Sequence, residues 1–391
     1  MLKVLTLNDF SLNGGAAIAC NRACDSLKAS GHEIISVSCD GSPKNDHKVL
    51  FLGRKYQIVS WLLGMIFNQN MLKSLREKEL IRQFTALLNE IRPSIVNIHN
   101  LHSAELPISL IQTTLEFYPV VWTLHDCWSF SASYYPAYCP SPDRSQERQI
   151  SDFWQTIKKP GYNQRLSAIT PSKWLQEQAL ASKWEERKVE SIHNPIPDFF
   201  FEQQDRTACK RALGLSDDKT IILCIAGNLS EERKGGPILK QILQSSQMEN
   251  VQFLLVGENA DDSVGFPNVR NLGFVSDDIT LRIAYHAADL LLHPAPVDNL
   301  PNTVAESMSC GTPVLAFSTG GLPEMVKPEK SGWLVDTIDA KAMIAKLDAI
   351  LVSRFGDCLR ESTRSHAKSL FDSASVGKSY LEHFHSMAEN T

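Results

Sequence analysis

Asp298 and Glu306 stand eight positions apart in the run Asp298-Asn-Leu-Pro-Asn-Thr-Val-Ala-Glu306, which continues Ser-Met-Ser-Cys-Gly-Thr-Pro-Val314. An ionised carboxylate only accepts hydrogen bonds, and its two oxygens can grip both hydroxyls of a vicinal diol. Two such groups suit a ligand with two diols, one on a hexose and one on a ribose. The apolar run Asp289–His293 reads as a strand ending just before Asp298, so that side chain can project from the strand's carboxyl end. Glu306 falls in the helix that follows, with Asn302 or Thr303 as its expected cap.

Two further stretches are suited to anions. Asn13-Gly14-Gly15 follows the first strand and precedes the helix beginning Ala16-Ala-Ile-Ala. Glycines at such a turn let backbone N–H groups approach a phosphate, and the helix N-terminus favours negative charge. Gly227-Asn-Leu-Ser-Glu-Glu-Arg-Lys-Gly-Gly236 lies between a strand and a helix and brings Arg233 and Lys234 to one turn. Fixed cations there would stabilise charge that builds on a departing diphosphate. A third group sits at strand ends in the first half: Trp122-Thr-Leu-His125-Asp126, with Asn97-Ile-His99-Asn-Leu-His102 beside it. His125 can hydrogen-bond a substrate hydroxyl or oxygen, with Asp126 expected to hold its tautomer. A metal cluster of His99, His102 and His125 is the lesser reading, because cations and helix ends already answer a diphosphate's charge. No metal and no cofactor are expected.

Alternating strands and helices must position these groups. Strand-like runs are Lys3–Leu7, Glu33–Val37, Ile95–Ile98, Val120–Leu124, Ala168–Thr170 and Val189–Ile192, with helical patterns over Ala16–Ser30, Leu75–Ile91 and Lys173–Ser182. The second half repeats the plan. Its strands are Thr220–Ala226, Val251–Val256, Asp289–His293, Pro313–Ala316 and Gly332–Val335; its helices are Gly236–Ser246, Asp277–Ala287, Thr303–Ser309 and Ala340–Val352. Such alternation predicts parallel sheets covered on both faces. Two prolines in Asn194-Pro-Ile-Pro197 mark the break. The expected fold is therefore α/β, two doubly wound Rossmann-like domains (1–197 and 198–372), with ligands at the carboxyl ends of the strands in the cleft where the two face each other. Ser373–His385 and beyond reads as an amphipathic helix.

A chain of 391 residues suits two domains, and 43% hydrophobic with 21% charged residues is ordinary for a globular protein. The net charge of −5 argues against a nucleic-acid partner. Nine scattered cysteines without paired metal spacing fit a reducing cytoplasm. Met1-Leu-Lys-Val-Leu-Thr-Leu reads as a strand rather than a signal peptide. The run Ile58–Phe67, with Arg54 and Lys55 before it and Lys73, Arg76 and Lys78 after, can lie in a membrane interface. Packing against its own domain is the weightier reading. The expected location is the cytoplasm, with the inner membrane face kept open.

The Asp298–Glu306 spacing resembles the paired-carboxylate signature of the retaining glycosyltransferases of family 4, which have the GT-B fold. Asp298 stands where that family usually has Glu. Gly320-Gly321-Leu-Pro-Glu324 is in family register, as are Thr170-Pro-Ser-Lys-Trp174 and His193-Asn194-Pro195. The resemblance implies transfer of a hexose from a UDP- or GDP-sugar, the substrate, to a hydroxyl of a saccharide or lipid-linked saccharide, as in surface polysaccharide assembly. It implies that Glu306 holds the ribose, Asp298 the hexose, and Lys234 with Arg233 the diphosphate. Asn299, Leu300, Pro301, Asn302 and Thr303 would position the donor, with Gly15 at the diphosphate and Val275, in Leu272–Val275, at the nucleobase. Gly14, His99, His125 and Asp126 would face the acceptor, and the last helix (373–391) would return to the first domain. Family members commonly carry an Arg where this chain has Asn228. Two alternatives remain: another sugar-nucleotide activity on this fold, epimerisation or inverting transfer, and a sugar-nucleotide-binding protein without turnover.

Overall fold

The computed structural model describes residues 1–11, 14–40, 47–50, 69–136, 144–158, 161–245, 250–259, 268–353 and 356–389. The run Ile58–Phe67, with Arg54 and Lys55, lies outside these residues, as do Asn13 and Cys139. The chain forms two compact units, residues 1–192 with 374–391, and residues 193–373.

The first unit holds β1 (Lys3–Leu7), β2 (Glu33–Ser38), β3 (His47–Val49), β4 (Ile95–Ile98), β5 (Val120–Thr123), β6 (Leu166–Thr170) and β7 (Val189–Ser191). They form one parallel sheet ordered β3-β2-β1-β4-β5-β6-β7. The second unit holds β8 (Thr220–Asn228), β9 (Val251–Glu258), β10 (Val269–Asn271), β11 (Leu290–His293), β12 (Val314–Phe317) and β13 (Gly332–Val335). These also run parallel, in the order β10-β9-β8-β11-β12-β13. Each sheet is thus an α/β doubly wound one. The short strands β3 and β10 are absent from the sequence reading, because neither has an apolar run.

Period-two alternation sorts the core. In the second sheet Ile221, Leu223, Leu291, Val314 and Ala316 face one apolar layer, while Ile222, Cys224, Leu290, Leu292 and Leu315 face the other. Burial on both faces explains why these strands are continuously apolar. In the first unit the helix Gly15–Ala29 and the tail helix Ser373–Glu389 cover one face, packing Cys20, Cys24 and Leu27 with Tyr380, Phe384 and Met387. His383 is buried there between Ser167 Oγ at 2.8 Å and Glu190 Oε2 at 2.6 Å.

The winding direction reverses between β1 and β4 and again between β8 and β11, where strands distant in sequence pair. Loops leaving the carboxyl ends of such strands diverge and open a crevice for ligands. The chemistry-bearing residues cluster at these two points.

Candidate active site

In the second unit, β8 leads into the turn carrying Lys234 and β11 into the loop carrying Asp298. Lys234 Nζ donates to Asp298 Oδ2 at 2.7 Å. Asp298 is 6% exposed. Burial alone would raise its pKa, but Lys234, helped by His293 and Arg233, outweighs burial and holds the carboxyl below its ordinary value. His293, the last residue of β11, places Nε2 3.7 Å from the same oxygen. Burial pushes its pKa down to about 4, with Asp298 opposing and Lys234 and Arg233 assisting. Among the described residues His293 Nε2 is buried without a hydrogen-bond partner. His293 and Lys234 line a small cavity of about 20 Å³ with Thr303, Pro294 and Ala226.

Glycines bring these loops together. Gly235 has φ +84°, and a Cβ there would overlap the Pro294 carbonyl beyond β11. Gly320 has φ +55°, and a Cβ would overlap the Asp298 carbonyl. Next to it, Gly321 N–H donates to Asn299 O at 2.8 Å. Only glycine suits such positions, so the Gly-Gly pair braces the Asp298 loop from behind. The Asn228 side chain stays in its own loop, accepting from Ser230 N–H at 2.9 Å. Arg233 donates to Glu231 Oε1 at 2.9 Å.

The helix Asn302–Ser309 starts directly after this loop. Neither Asn302 nor Thr303 caps it. Pro301, in extended conformation, occupies the cap position without a side-chain bond, and Asn302 is already helical. A proline can precede a helix because its missing N–H is not needed there. The Asn302 Oδ1 accepts from Asn194 Nδ2 at 3.3 Å. Leu300 packs into the core, and Asn299 N–H donates to Asp298 Oδ1 at 3.0 Å. Glu306 lies one helical face deeper, 3% exposed, and its Oε2 accepts from Tyr285 Oη at 2.7 Å. Val275 packs against the core at the far side of β9, where Gly257 N–H donates to Gly273 O.

In the first unit, Gly14 caps the helix beginning at Gly15 with φ +91°. β4 and β5 deliver the histidines. His99 Nδ1 meets His125 Nε2 at 2.8 Å, and His99 Nε2 meets Asn97 Oδ1 at 2.8 Å. Burial and the neighbouring ring hold His99 well below its usual pKa, and burial pushes His125 down to about 4 against the pull of Asp126. The expected Asp126–His125 pairing is corrected here. Asp126 Oδ2 instead pairs with His102 Nε2 at 3.0 Å, and Oδ1 accepts from Trp128 N–H at 2.9 Å. Burial alone would lower the His102 pKa, but Asp126 outweighs it and the net shift is upward. This sheet end thus carries two imidazoles whose charged forms are disfavoured beside one whose charged form is stabilised. Among the described residues no group of three or more His, Cys, Asp or Glu could hold a metal ion.

Residues 13–198 match the family described as Glycosyltransferase Family 4, and residues 220–353 match that described as Glycosyl transferases group 1. Sucrose-phosphate synthase from Thermosynechococcus elongatus superposes over 100% of both chains with a TM-score of 0.76 at 18% identity. The chain belongs to the GT-B glycosyltransferases. Anabaena HepE in complex with UDP-glucose superposes on this glycosyltransferase over 99% of this chain and 100% of that one, with a TM-score of 0.72 at 16% identity. An uncharacterized glycosyltransferase of Methanocaldococcus jannaschii is 29% identical over 178 residues, 42% of this chain and 45% of that protein. The chain spans less than half the length of the curated relatives it matches.

Within the glycosyltransferase, the residues expected at the donor fall into two layers. Lys234 and Asp298 touch; Asn299 and Thr303 adjoin them; Glu306 is held behind by Tyr285. Sequence reasoning misses Tyr285 and His293. His293 carries a signal, as the polar end of an otherwise apolar strand, Leu-Leu-Leu-His. Asn97 likewise places a polar side chain in a buried strand. Tyr285, in the last turn of the helix Asp278–Ala287, gives no comparable signal. Among the described residues no helix is long and apolar enough to cross a membrane.

Proposed function

We propose that this glycosyltransferase moves a hexose from a UDP- or GDP-sugar to a hydroxyl acceptor with retention of anomeric configuration. The Lys234–Asp298 pair at the β8/β11 reversal carries the reading. A low-pKa carboxylate is a ready acceptor for hexose hydroxyls, and the ammonium it holds is a compact cation for the leaving diphosphate. Thr303 and Asn302, in the first turn of their helix, offer backbone amides to the same phosphate. Glu306, fixed by Tyr285, takes the ribose. The binding of UDP-glucose by Anabaena HepE supports a uridine donor, and GDP-sugars are the other candidates.

The acceptor attacks on the face the diphosphate leaves, and the departing phosphate oxygen takes the acceptor's proton. Lys234 meets the developing charge, so the reaction needs no metal, and EDTA should leave the rate unchanged. The acceptor is a saccharide hydroxyl, free or lipid-linked, of the kind used in surface polysaccharide assembly; a lipid-linked acceptor would place the enzyme at the cytoplasmic face of a membrane. This assignment rests on family resemblance. One observation favours a second reading, a sugar-nucleotide binder without turnover. Asn228 stands at the usual Arg position and keeps its side chain in its own turn, while Arg233 pairs with Glu231.

Thermal shift with UDP-glucose, UDP-galactose and GDP-mannose, followed by donor hydrolysis and proton NMR of the product anomer, tests both. A ligand that binds only the folded state raises the melting point. A stabilising donor that is turned over with retention supports transfer. Stabilisation without turnover supports the binder. An inverted product, or no stabilising donor, refutes the proposal.

A further inference from the structure

Among the described residues His293 Nε2 is buried and makes no hydrogen bond, although it lies 3.7 Å from Asp298 Oδ2. A polar nitrogen left unpaired in an interior costs free energy, so its presence calls for a reason. Burial pushes the His293 pKa down to about 4, so at neutral pH the ring carries one proton. A bare Nε2 would set a lone pair against a carboxylate, so the nitrogen facing Asp298 is the one that carries it. His293 ends β11 in register with Ala316 of β12, which fixes its backbone. A hydrogen bond to Asp298 requires its ring nitrogen, now at 3.7 Å, to come about 0.8 Å nearer. The cavity of about 20 Å³ that His293 and Lys234 both line gives their side chains room for that adjustment.

Lys234 Nζ already holds Asp298 Oδ2 at 2.7 Å. Its side chain is 24% exposed against 8% for Asp298, so an arriving anion meets the ammonium first. A diphosphate, with more than one negative charge, competes with the single carboxylate for that cation. As the ammonium is drawn off, Asp298 keeps Asn299 N–H on Oδ1, while Oδ2 loses its side-chain donor in a buried place. A buried charge stripped of its partner is costly.

We propose that His293 is a positioning residue whose Nε2–H takes over Asp298 Oδ2 when Lys234 turns to the donor's diphosphate, so that the carboxylate stays fixed for the hexose. The inference rests on the glycosyl-transfer reading for the diphosphate and the hexose; the exchange of partners stands on the geometry. It gives a reason for the polar end of Leu-Leu-Leu-His293, and for a group that is unpaired until ligand arrives. It also lets one ammonium serve the leaving group without stranding the carboxylate it came from, so more of its attraction is spent on the developing charge.

The test is a long-range proton–nitrogen correlation spectrum of the full chain labelled with 15N-histidine at pH 8, with His293 assigned by its loss in His293→Gln. The free wild type should show His293 protonated at Nε2 and bare at Nδ1; a proton on Nδ1 overturns the proposal. In Lys234→Met, without nucleotide, the Nε2 proton should move downfield as it bonds Asp298, and a signal that stays in place overturns the proposal. Calorimetric titration with UDP reads the consequence. His293→Phe, which loses a group unpaired in the free protein, should keep its melting point yet bind UDP about tenfold more weakly. His293→Gln, whose amide can donate in place of Nε2, should recover most of that affinity. Unchanged UDP affinity in a folded His293→Phe overturns the proposal, and if that variant does not fold the two spectra decide. A wild type that binds no UDP counts against the transferase reading, and the nucleotide-free Lys234→Met spectrum still decides the exchange.

Discussion

Replacing Lys234 by Met removes the ammonium while keeping a stem of similar length. Asp298 is then left 6% exposed with its own loop amide, Asn299 N–H, as the remaining hydrogen bond shown to its Oδ1. Breaking a buried ion pair from one side costs roughly 3–5 kcal/mol. The Lys234 side chain is 24% exposed, against 8% for Asp298, so water screens part of the interaction. The expected loss is therefore about 2–3 kcal/mol, equivalent to a pKa displacement of about two units. The pH dependence gives the sharper test. In the wild type the folded pKa of Asp298 lies below its unfolded value. Its contribution is thus present above roughly pH 4 and fades as pH falls through the folded value. In Lys234→Met, burial dominates and lifts the folded pKa above the unfolded one. That variant is penalised at neutral pH and recovers as Asp298 takes up a proton. Hydrogen exchange over peptides spanning residues 290–309, converted to local opening free energies, reads both effects. The gap between the two proteins should be widest near pH 7.5 and narrow steadily toward pH 4.5. A gap that stays constant with pH, or is below about 0.5 kcal/mol throughout, refutes the reasoning.

Three other substitutions test separate parts of the site. Gly320→Ala forces a side chain into a left-handed conformation against the Asp298 carbonyl; calorimetry should show a loss of about 2 kcal/mol or more, with weaker UDP binding. A neutral result would mean that the loop is not braced there. Tyr285→Phe removes the hydroxyl from Glu306 and should cost about 1.5–3 kcal/mol, because the acceptor is a buried carboxylate. Titration with UDP should show a parallel rise in Kd, and unchanged stability and Kd would count against the pair. Asp126→Asn should lower the His102 pKa, read by NMR titration, since Asp126 is what offsets burial. A raised folded pKa stabilises below the unfolded value and is lost as pH rises through the folded one. The variant's melting-point deficit should therefore be larger at pH 5.5 than at pH 8, and the opposite order would disprove the pairing.

The sheets are largely legible in the sequence because their strands are buried on both faces, and a short apolar run bounded by turns fits little else. β3 and β10 escape because His47-Lys-Val49 and Val269-Arg-Asn271 are three-residue edge strands, held by one neighbour each. The Lys234 and Asp298 loops are legible through their glycines and charges. Which side chains meet is less so. Asp126 adjoins His125 in sequence, yet it reaches His102, 24 positions away, because successive residues beyond a strand point in different directions. The cap of the Asn302 helix is misleading for a related reason. Asn302 and Thr303 have the right side chains, but Pro301 starts the turn one residue earlier.

The tail helix has a consequence for how the protein is made. His383 reaches Ser167 across 216 positions, and Tyr380, Phe384 and Met387 complete the layer begun by Leu2 and Val4. A nascent chain emerging from the ribosome therefore cannot seal its amino-terminal unit when that unit's own strands have appeared. It must wait until residues 193–373 have been synthesised, and these have two complete apolar layers of their own on which to collapse. Their collapse shortens the loop that the tail has to close. The unit translated first is thus the one finished last.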